Sequence, residues 1–371
     1  MQRLSRTAAF GCWPNERQRL LVGAAVWGDE RARAAWDRWQ AGITRDRIGR
    51  ADGRLMATAY RPLRSLGADD PLLDIAGGLH RRAWYTNQLT LRKAATVVGR
   101  LAHAGHEVLV LKGAALCLLY YPDLGSRPMG DIDLLVAPGG LAALLPPLAE
   151  VGWRLLPSQG TGQGPLAYGL HVEDELGAEI DLHEYALMQS ADDSDLWEAR
   201  VDLELIDTPT ATLATTDHLL HVCAHGMRWH PDANARWAVD AMMIMRSCGD
   251  QLDWARVVDR ARARRLTVSV GYALSWLRTA LGAEVPEWVV KGLGVGPRLR
   301  FERTVHAVTA RPPSPLNMAV MSLDRYRRFA QLAPPAQRPA SFSEYLRGAW
   351  GAQSSRQVLL LGGRKLARRF T

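Results

Sequence analysis

The chain has 371 residues, 47% of them hydrophobic and 23% charged, which is enough apolar material for a substantial core and argues against a disordered protein. No apolar run approaches the roughly 18 residues of a membrane-spanning helix, and we expect a cytoplasmic protein. The net charge of +8 is concentrated near the C-terminus: residues 298–371 carry +11 and residues 1–297 carry −3, unlike a uniformly basic nucleic-acid-binding protein.

The N-terminal part of the chain has the apolar spacing of helices, and we predict a helical region over residues 1–83. A further helical pattern, Thr86–Ala104, ends before Gly105 and leads into a predicted strand, His106–Leu111. We interpret this helix and strand as the beginning of a core domain over residues 84–204.

Lys112 and Gly113 follow this strand directly, and a short helix is predicted after them. A cation beside a glycine turn and a helix start suits a triphosphate, because the exposed N–H groups of a helix N-terminus attract anions and glycine allows a close backbone approach. We therefore predict that Lys112 and Gly113 contact the phosphates of a donor nucleotide. The alternative is an ordinary surface lysine at the end of a strand.

Two aspartates begin the next predicted strand, Asp131–Val136. Residues i and i+2 of a strand point to the same face, so Asp131 and Asp133 should project together. Arg127, four residues before Asp131, either orients the donor phosphates or forms an ion pair with Asp131. An aspartate pair that only caps a turn is the alternative to a metal site.

A predicted hairpin brings a third aspartate to this pair; its strands are Tyr168–Val172 and Glu179–His183. Asp181 is the third candidate carboxylate, and His183 shares its face as a supporting group or a base. Carboxylates favour Mg²⁺ or Mn²⁺, and Mg²⁺ usually takes its remaining ligands from water and a substrate phosphate. The three aspartates therefore predict a metal site that binds a nucleotide.

Helices are predicted over residues 205–297, which we interpret as a helical subdomain. His221 and His225 lie four residues apart on one helix face, but the glutamate of a zinc-protease helix is absent between them. We expect a packed histidine pair, with His225 a candidate contact to the nucleotide or the acceptor. Residues 298–371 form a basic C-terminal segment, which can attract RNA, an acidic protein or an anionic surface.

Taken in order, these motifs resemble the uncharacterised nucleotidyltransferase family of the DNA polymerase β-like superfamily. The resemblance rests on Leu-Lys-Gly at residues 111–113, Arg-x-x-x-Asp-Ile-Asp-Leu-Leu-Val at 127–136, Ile-Asp-Leu-His at 180–183 and Asp-His-Leu-Leu-His-Val-Cys-Ala-His-Gly at 217–226. It implies an α+β fold in which helices flank a small mixed β-sheet, with N-terminal and C-terminal helical additions. It also implies an NTP donor, with ATP the expected nucleotide, and Mg²⁺ or Mn²⁺.

This resemblance predicts transfer of a nucleoside monophosphate from NTP to a hydroxyl or phosphate acceptor, with release of pyrophosphate. Some family members accompany biosynthetic genes for modified peptides such as lasso peptides, so we expect a peptide, a protein or a small metabolite as acceptor. RNA bound by the basic C-terminus is a further expectation. The alternative is a non-catalytic nucleotide-binding or scaffold protein, which is favoured by Ala114 where the wider superfamily has serine or glycine.

Overall fold

The computed structural model of the chain describes residues 12–43, 48–137, 140–156, 169–230, 235–294, 299–312, 314–333 and 335–358. Within these ranges the chain forms α-helices and β-strands that alternate through its middle part. In chain order they are α1 (Glu16–Val26), α2 (Glu30–Gln40), α3 (Arg50–Ser65), α4 (Pro71–His103), β1 (Val108–Leu111), α5 (Lys112–Tyr120), β2 (Ile132–Val136), α6 (Leu141–Glu150), β3 (Arg154–Leu155), β4 (Gly169–Glu173), β5 (Glu179–His183), α7 (Ser194–Glu198), β6 (Val201–Leu205), β7 (Thr208–Thr212), α8 (Thr215–Gly226), α9 (Arg236–Cys248), α10 (Trp254–Ala263), α11 (Thr267–Trp276), α12 (Glu287–Leu293), α13 (Leu299–Thr309), α14 (Pro315–Leu332) and α15 (Phe342–Trp350).

The chain divides into two compact units, each assembled from three segments. The first, which we call the helical unit, consists of Met1–Leu89, Leu116–Met129 and Thr215–Pro313. The second, which we call the sheet unit, consists of Thr90–Ala115, Gly130–Ala214 and Ser314–Thr371. The four sequence regions that we predicted, 1–83, 84–204, 205–297 and 298–371, are a different division of the chain and stay a prediction.

The helical unit is held together by buried aromatic side chains and close helix packing. Trp36 and Trp39 of α2 are buried, and their rings stack with centroids 5.1 Å apart. Where α8 ends, a Cβ atom on Gly226 would come within 2.2 Å of the Trp237 ring of α9. The close packing of α8 on α9 therefore requires glycine at this position.

The sheet unit contains a seven-stranded mixed sheet with the strand order β3-β4-β5-β2-β1-β7-β6. Strand β1 is antiparallel to β2 and parallel to β7, and β2 is parallel to β5. The predicted hairpin is confirmed, because β4 and β5 pair antiparallel on either side of Gly177. The α+β fold class predicted from the sequence is confirmed by this sheet and its flanking helices.

One face of the sheet packs on a cluster of buried apolar residues, which fixes the positions of β1 and β2. The cluster consists of Leu109, Leu111, Leu135, Ala186, Leu196 and Leu213. Burial of such side chains stabilises the fold by about 1.5–3 kcal/mol each, so the two central strands are firmly anchored.

The two C-terminal helices pack on the segment that follows β5. Tyr185 is buried against Phe329 of α14, with ring centroids 5.2 Å apart, and Tyr345 of α15 joins the same cluster. The guanidinium group of Arg325 lies over the Tyr185 and Phe329 rings, and Arg328 is buried in an ion pair with Asp324 of its own helix.

Part of the basic C-terminal charge is therefore structural rather than displayed to a partner. The most basic stretch, residues 359–371, lies outside the described residues. None of the described helices is long and apolar enough to cross a lipid bilayer.

Candidate metal and nucleotide site

The pairing of three strands aligns polar side chains in one row across the sheet unit. Leu111 at the end of β1 pairs with Asp133 of β2, and Asp133 pairs in turn with Asp181 of β5. On the far side of β5, Asp181 pairs with His171 of β4. Because paired residues of neighbouring strands project to the same face, the two aspartates and His171 lie side by side.

His183 completes this group, since it lies two residues after Asp181 and pairs with Leu135. Ligand atoms of Asp133, Asp181 and His183 all lie within 4.8 Å of one another. Asp133 is only 3% exposed and His183 only 5%, whereas Asp181 is partly open to solvent. The three side chains therefore form a compact polar cluster that is open to solvent at Asp181.

Lys112 reaches into this cluster from the junction of β1 and α5. Its Nζ atom donates a hydrogen bond to Asp133 Oδ1 at 2.5 Å and lies 3.5 Å from His183 Nε2. Lys112 also has a backbone φ of +45°, a left-handed conformation that is rare for residues other than glycine. Backbone strain of this kind is concentrated at functional sites in proteins, so it marks Lys112 as more than a surface lysine.

His183 contacts the same oxygen of Asp133 that accepts the hydrogen bond from Lys112. Its Nε2 atom lies 2.8 Å from Asp133 Oδ1, and since an ionised carboxylate only accepts hydrogen bonds, Nε2 carries a proton and donates it. Burial lowers the pKa of His183, and the charge of Lys112 lowers it further. The imidazole is therefore neutral at neutral pH.

Asp133 stays ionised although it is buried. Burial by itself raises the pKa of this carboxyl group, but the charge of Lys112 and the hydrogen bond from His183 outweigh burial and hold the pKa well below its usual range. A carboxylate that stays ionised while buried keeps the negative charge that binding a cation requires.

His171 was not among the residues predicted from the sequence. Its Nδ1 atom is hydrogen-bonded to Asp181 Oδ1, and this hydrogen bond raises the pKa of His171, with burial opposing it. The signal that could have found it is the hairpin register: residues equally far from Leu176, at the centre of the turn, face each other across β4 and β5, and His171 is the residue opposite Asp181.

Asp131 and Gly113 are placed at the edges of this cluster. Asp131 directly precedes β2 and is exposed, and it is not one of the three residues whose ligand atoms converge. Gly113 is the second residue of α5, which begins at Lys112 with no intervening loop. Phosphate binding by Gly113 and metal binding by Asp131 stay predictions.

Arg127 and His225 belong to the helical unit. Arg127 is buried and forms a bidentate ion pair with Asp240, with Nε–Oδ1 and Nη2–Oδ2 distances of 2.7 and 2.9 Å. The side-chain amide of Asn87 donates hydrogen bonds to the carbonyl oxygens of Leu124 and of Arg127 itself, which holds the backbone at this arginine. A phosphate contact by Arg127 stays a prediction that this buried pair disfavours, because the Nε–Nη2 edge of the guanidinium group already binds Asp240.

His225, in the last turn of α8, lies against the ring of His221 with centroids 6.0 Å apart. This is the packed histidine pair expected from the sequence. Contact of His225 with a nucleotide or an acceptor stays a prediction.

The donor set of the cluster suits a hard or borderline divalent cation. Two carboxylates supply oxygen ligands, which Mg²⁺ and Mn²⁺ prefer, and the imidazole makes the set better suited to Mn²⁺ than to Mg²⁺. Carboxylates that share a cation with a phosphate chain can neutralise the charge that develops when a phosphoryl group is transferred. The cluster therefore has the ligand atoms that a divalent metal ion requires.

The sheet unit combines a mixed sheet, paired aspartates on neighbouring strands and a helix that begins beside them. The model of the uncharacterised nucleotidyltransferase family matches residues 50–282. The chain belongs to this family, and the resemblance seen in its sequence motifs is confirmed.

A solved structure of a nucleotidyltransferase-like protein is also similar to this chain. It is an antigenic nucleotidyltransferase-like protein from Paracoccidioides brasiliensis, with 15% sequence identity and a TM-score of 0.37, and the match covers 54% of this chain and 96% of the other. No curated protein matches the chain.

Proposed function

We propose that the protein transfers a nucleoside monophosphate from NTP to a hydroxyl or phosphate acceptor and releases pyrophosphate. The observation that carries this proposal is the convergence of Asp133, Asp181 and His183 beside Lys112 in a chain of the nucleotidyltransferase family. Chemistry of this kind depends on positioning and on charge stabilisation, both of which such a cluster supplies.

Asp133, Asp181 and His183 would hold the divalent cation, Mg²⁺ or Mn²⁺, which when bound neutralises phosphate charge and orients the donor. For His183 Nε2 to act as a ligand, the imidazole has to carry its hydrogen on Nδ1 instead. Asp131, exposed directly before β2, is proposed as a further ligand once the nucleotide is present.

Lys112 and the N-terminus of α5 are proposed to receive the donor phosphates. The helix begins at Lys112, so its first N–H groups and the lysine ammonium group belong to the same short stretch of chain. Both attract anions, and Gly113 leaves room for a close approach to this backbone.

The acceptor oxygen is proposed to lose its proton to the carboxylate of Asp181, which His171 holds in place. The acceptor oxygen then bonds to the α-phosphorus of the NTP, the bond from that phosphorus to the bridging oxygen breaks, and pyrophosphate leaves. Asp181 suits this role because, unlike Asp133, it is partly open to solvent.

ATP is the proposed donor, and a peptide, a protein or a small metabolite is the proposed acceptor, so that peptide modification is the expected biological setting. RNA is a weaker acceptor proposal, because Arg325 and Arg328 of the basic C-terminal segment are engaged in the packing of α14. Cytoplasmic localisation stays a prediction.

The test is to incubate the purified protein with each of the four NTPs, labelled at the α-phosphate, with Mg²⁺ or Mn²⁺ and a panel of candidate acceptors. Pyrophosphate release, label transfer and intact mass, which also reports self-modification, are followed. Wild-type protein should release pyrophosphate, and the Asp133→Asn/Asp181→Asn double variant should not.

The matched control is Asp202→Asn, which changes an exposed aspartate of β6 in the same unit and should leave turnover unchanged. Equal turnover by the double variant and the wild-type protein would refute the proposal.

The second candidate function is non-catalytic nucleotide binding by a protein that keeps the fold. The contact between Lys112 and Asp133 favours this second candidate. The lysine charge already neutralises Asp133, one of the carboxylates that would bind the metal. This candidate predicts saturable nucleotide binding by the wild-type protein without pyrophosphate release under any of the conditions above.

A further inference from the structure

The ammonium group of Lys112 lies among the atoms that would bind the metal. Its Nζ atom is 2.5 Å from Asp133 Oδ1 and 3.5 Å from His183 Nε2, and both of these residues belong to the converging cluster. The positive charge that the buried carboxylate of Asp133 requires is thus supplied by a side chain of the protein itself.

A divalent cation and an ammonium group repel each other strongly at this separation, particularly in a partly buried site where the effective dielectric constant is low. Metal binding at Asp133 therefore displaces Lys112. The displaced ammonium group loses its contact with Asp133, and this loss opposes the binding of free metal.

A triphosphate changes this balance. When the metal arrives together with a nucleotide, the phosphate chain offers Lys112 a new anionic partner in place of Asp133. The lysine side chain is 21% exposed and flexible, so it can move towards such a ligand, whereas Asp133 itself is fixed within β2.

We propose that Lys112 couples the binding of metal and nucleotide: it competes with free metal for Asp133 and moves to the donor phosphates when metal and NTP bind together, so that the site takes the metal–nucleotide complex in preference to either component alone. This inference rests on the proposed nucleotidyl-transfer site.

The choice of lysine fits an exchangeable contact. A lysine ammonium group is a point charge with rotatable donors on a flexible stem, so it can leave one oxygen for another without the fixed geometry that a guanidinium fork imposes. The arginine of the helical unit that pairs with Asp240 has the opposite character, because it is bidentate and buried.

The experiment measures Mn²⁺ binding by calorimetry and electron paramagnetic resonance, with and without an α,β-methylene NTP analogue that cannot be cleaved. Wild-type protein should bind Mn²⁺ at least about tenfold more tightly when the analogue is present. Lys112→Met should bind free Mn²⁺ about tenfold more tightly than the wild-type protein, and the analogue should then add little.

Two further variants separate charge from other effects. Lys112→Arg keeps the positive charge and should not gain affinity for free Mn²⁺. Lys93→Met removes a lysine that pairs with Asp174 in the same unit and should behave like the wild-type protein. If Lys112→Met does not fold by circular dichroism and thermal unfolding, Lys112→Gln takes its place.

The outcomes distinguish this inference from the proposed function. If the wild-type protein binds Mn²⁺ and the analogue together but Lys112→Met shows unchanged affinity and unchanged coupling, the lysine exchange is wrong and the proposed site stands. If the wild-type protein binds neither Mn²⁺ nor the analogue, separately or together, both proposals are wrong.

Discussion

Asp133 in the sheet unit and Asp240 in the helical unit are both buried carboxylates, but different arrangements of partners keep them ionised. Each is at most 5% exposed, each has a cationic partner, and in each the partner outweighs burial and lowers the pKa of the carboxyl group. Asp240 is held by Nε and Nη2 of Arg127 and by the hydroxyl group of Tyr121 at 2.6 Å. Asp133 is held through one oxygen, by Lys112 and His183.

The difference lies in what each arrangement leaves available. Both oxygens of Asp240 accept hydrogen bonds from a buried planar partner, so the pair is closed to any ligand. Asp133 has a second carboxylate and an imidazole nearby, and its lysine partner is partly exposed. A saturated buried ion pair is therefore a structural element, and an incompletely saturated one beside further ligand atoms is a candidate site.

The largest effect that would sharpen this comparison is expected for Asp133→Asn. Loss of this charge removes a metal ligand, so turnover should fall by on the order of 10³-fold, the scale reached when a charge-stabilising group is removed. Thermal unfolding should change little, since Lys112 can move into solvent. Steady-state pyrophosphate release and calorimetric unfolding measure the two quantities, and unchanged turnover would place the metal elsewhere.

The next effect is expected for Asp240→Ala, which should lower the free energy of unfolding by about 3–5 kcal/mol, because the Arg127 charge is left buried without its partner. The double change Arg127→Met/Asp240→Leu should recover most of this loss, since a buried pair can be replaced by apolar residues of similar size. Denaturant unfolding measures both. If the double variant turned over nucleotide as slowly as Asp133→Asn, the assignment of this pair to structure alone would fail.

The sequence was sufficient to predict that Asp133 and Asp181 lie on strands that the fold brings together. Strand alternation and the hairpin predicted that Asp133 and Asp181 project from neighbouring strands, and the register of β2 with β5 pairs these two residues directly. Asp131 shows the limit of the pattern: β2 begins one residue later than predicted, which leaves Asp131 exposed ahead of the paired strand. The two-residue alternation of side chains in a strand predicts which residues share a face of the sheet, but not the residue at which strand pairing begins.

Contacts between residues far apart in the chain could not be predicted in this way. The hydrogen bond from Lys112 to Asp133 depends on the antiparallel register of β1 with β2 across an intervening helix and loop, and no local pattern encodes that register. The same holds for Arg127, whose partner Asp240 lies on α9, 113 residues further along the chain. Both contacts are properties of the assembled fold rather than of any segment.

A smaller effect is expected at His171, which holds Asp181 in place. His171→Ala should lower turnover and Mn²⁺ affinity by about 10–100-fold, the range found when a group that orients a metal ligand is removed. His171→Asn places an amide N–H near the position of Nδ1 and should recover most of the loss. If alanine and asparagine behaved alike, the hydrogen bond to Asp181 would have no positioning role, and His171 would be only a strand residue.

The smallest effect is expected from acid, and it concerns Asp240. Arg127 holds the folded-state pKa of Asp240 below its unfolded value of about 3.9. Above the unfolded value the ionised pair therefore contributes its full stability. This contribution is lost as the pH falls through the lower, folded-state pKa. From pH 7 to 5 this contribution should stay constant, and below about pH 4 it should decline. Subtracting the unfolding free energies of Arg127→Met/Asp240→Leu from those of the wild-type protein at each pH isolates the term, because Asp133 titrates in both proteins and cancels. If this difference in unfolding free energy stayed constant down to pH 2, the pair would contribute nothing to stability through its charge. The contrast between the closed carboxylate of Asp240 and the exchangeable carboxylate of Asp133 would then rest on packing instead of electrostatics.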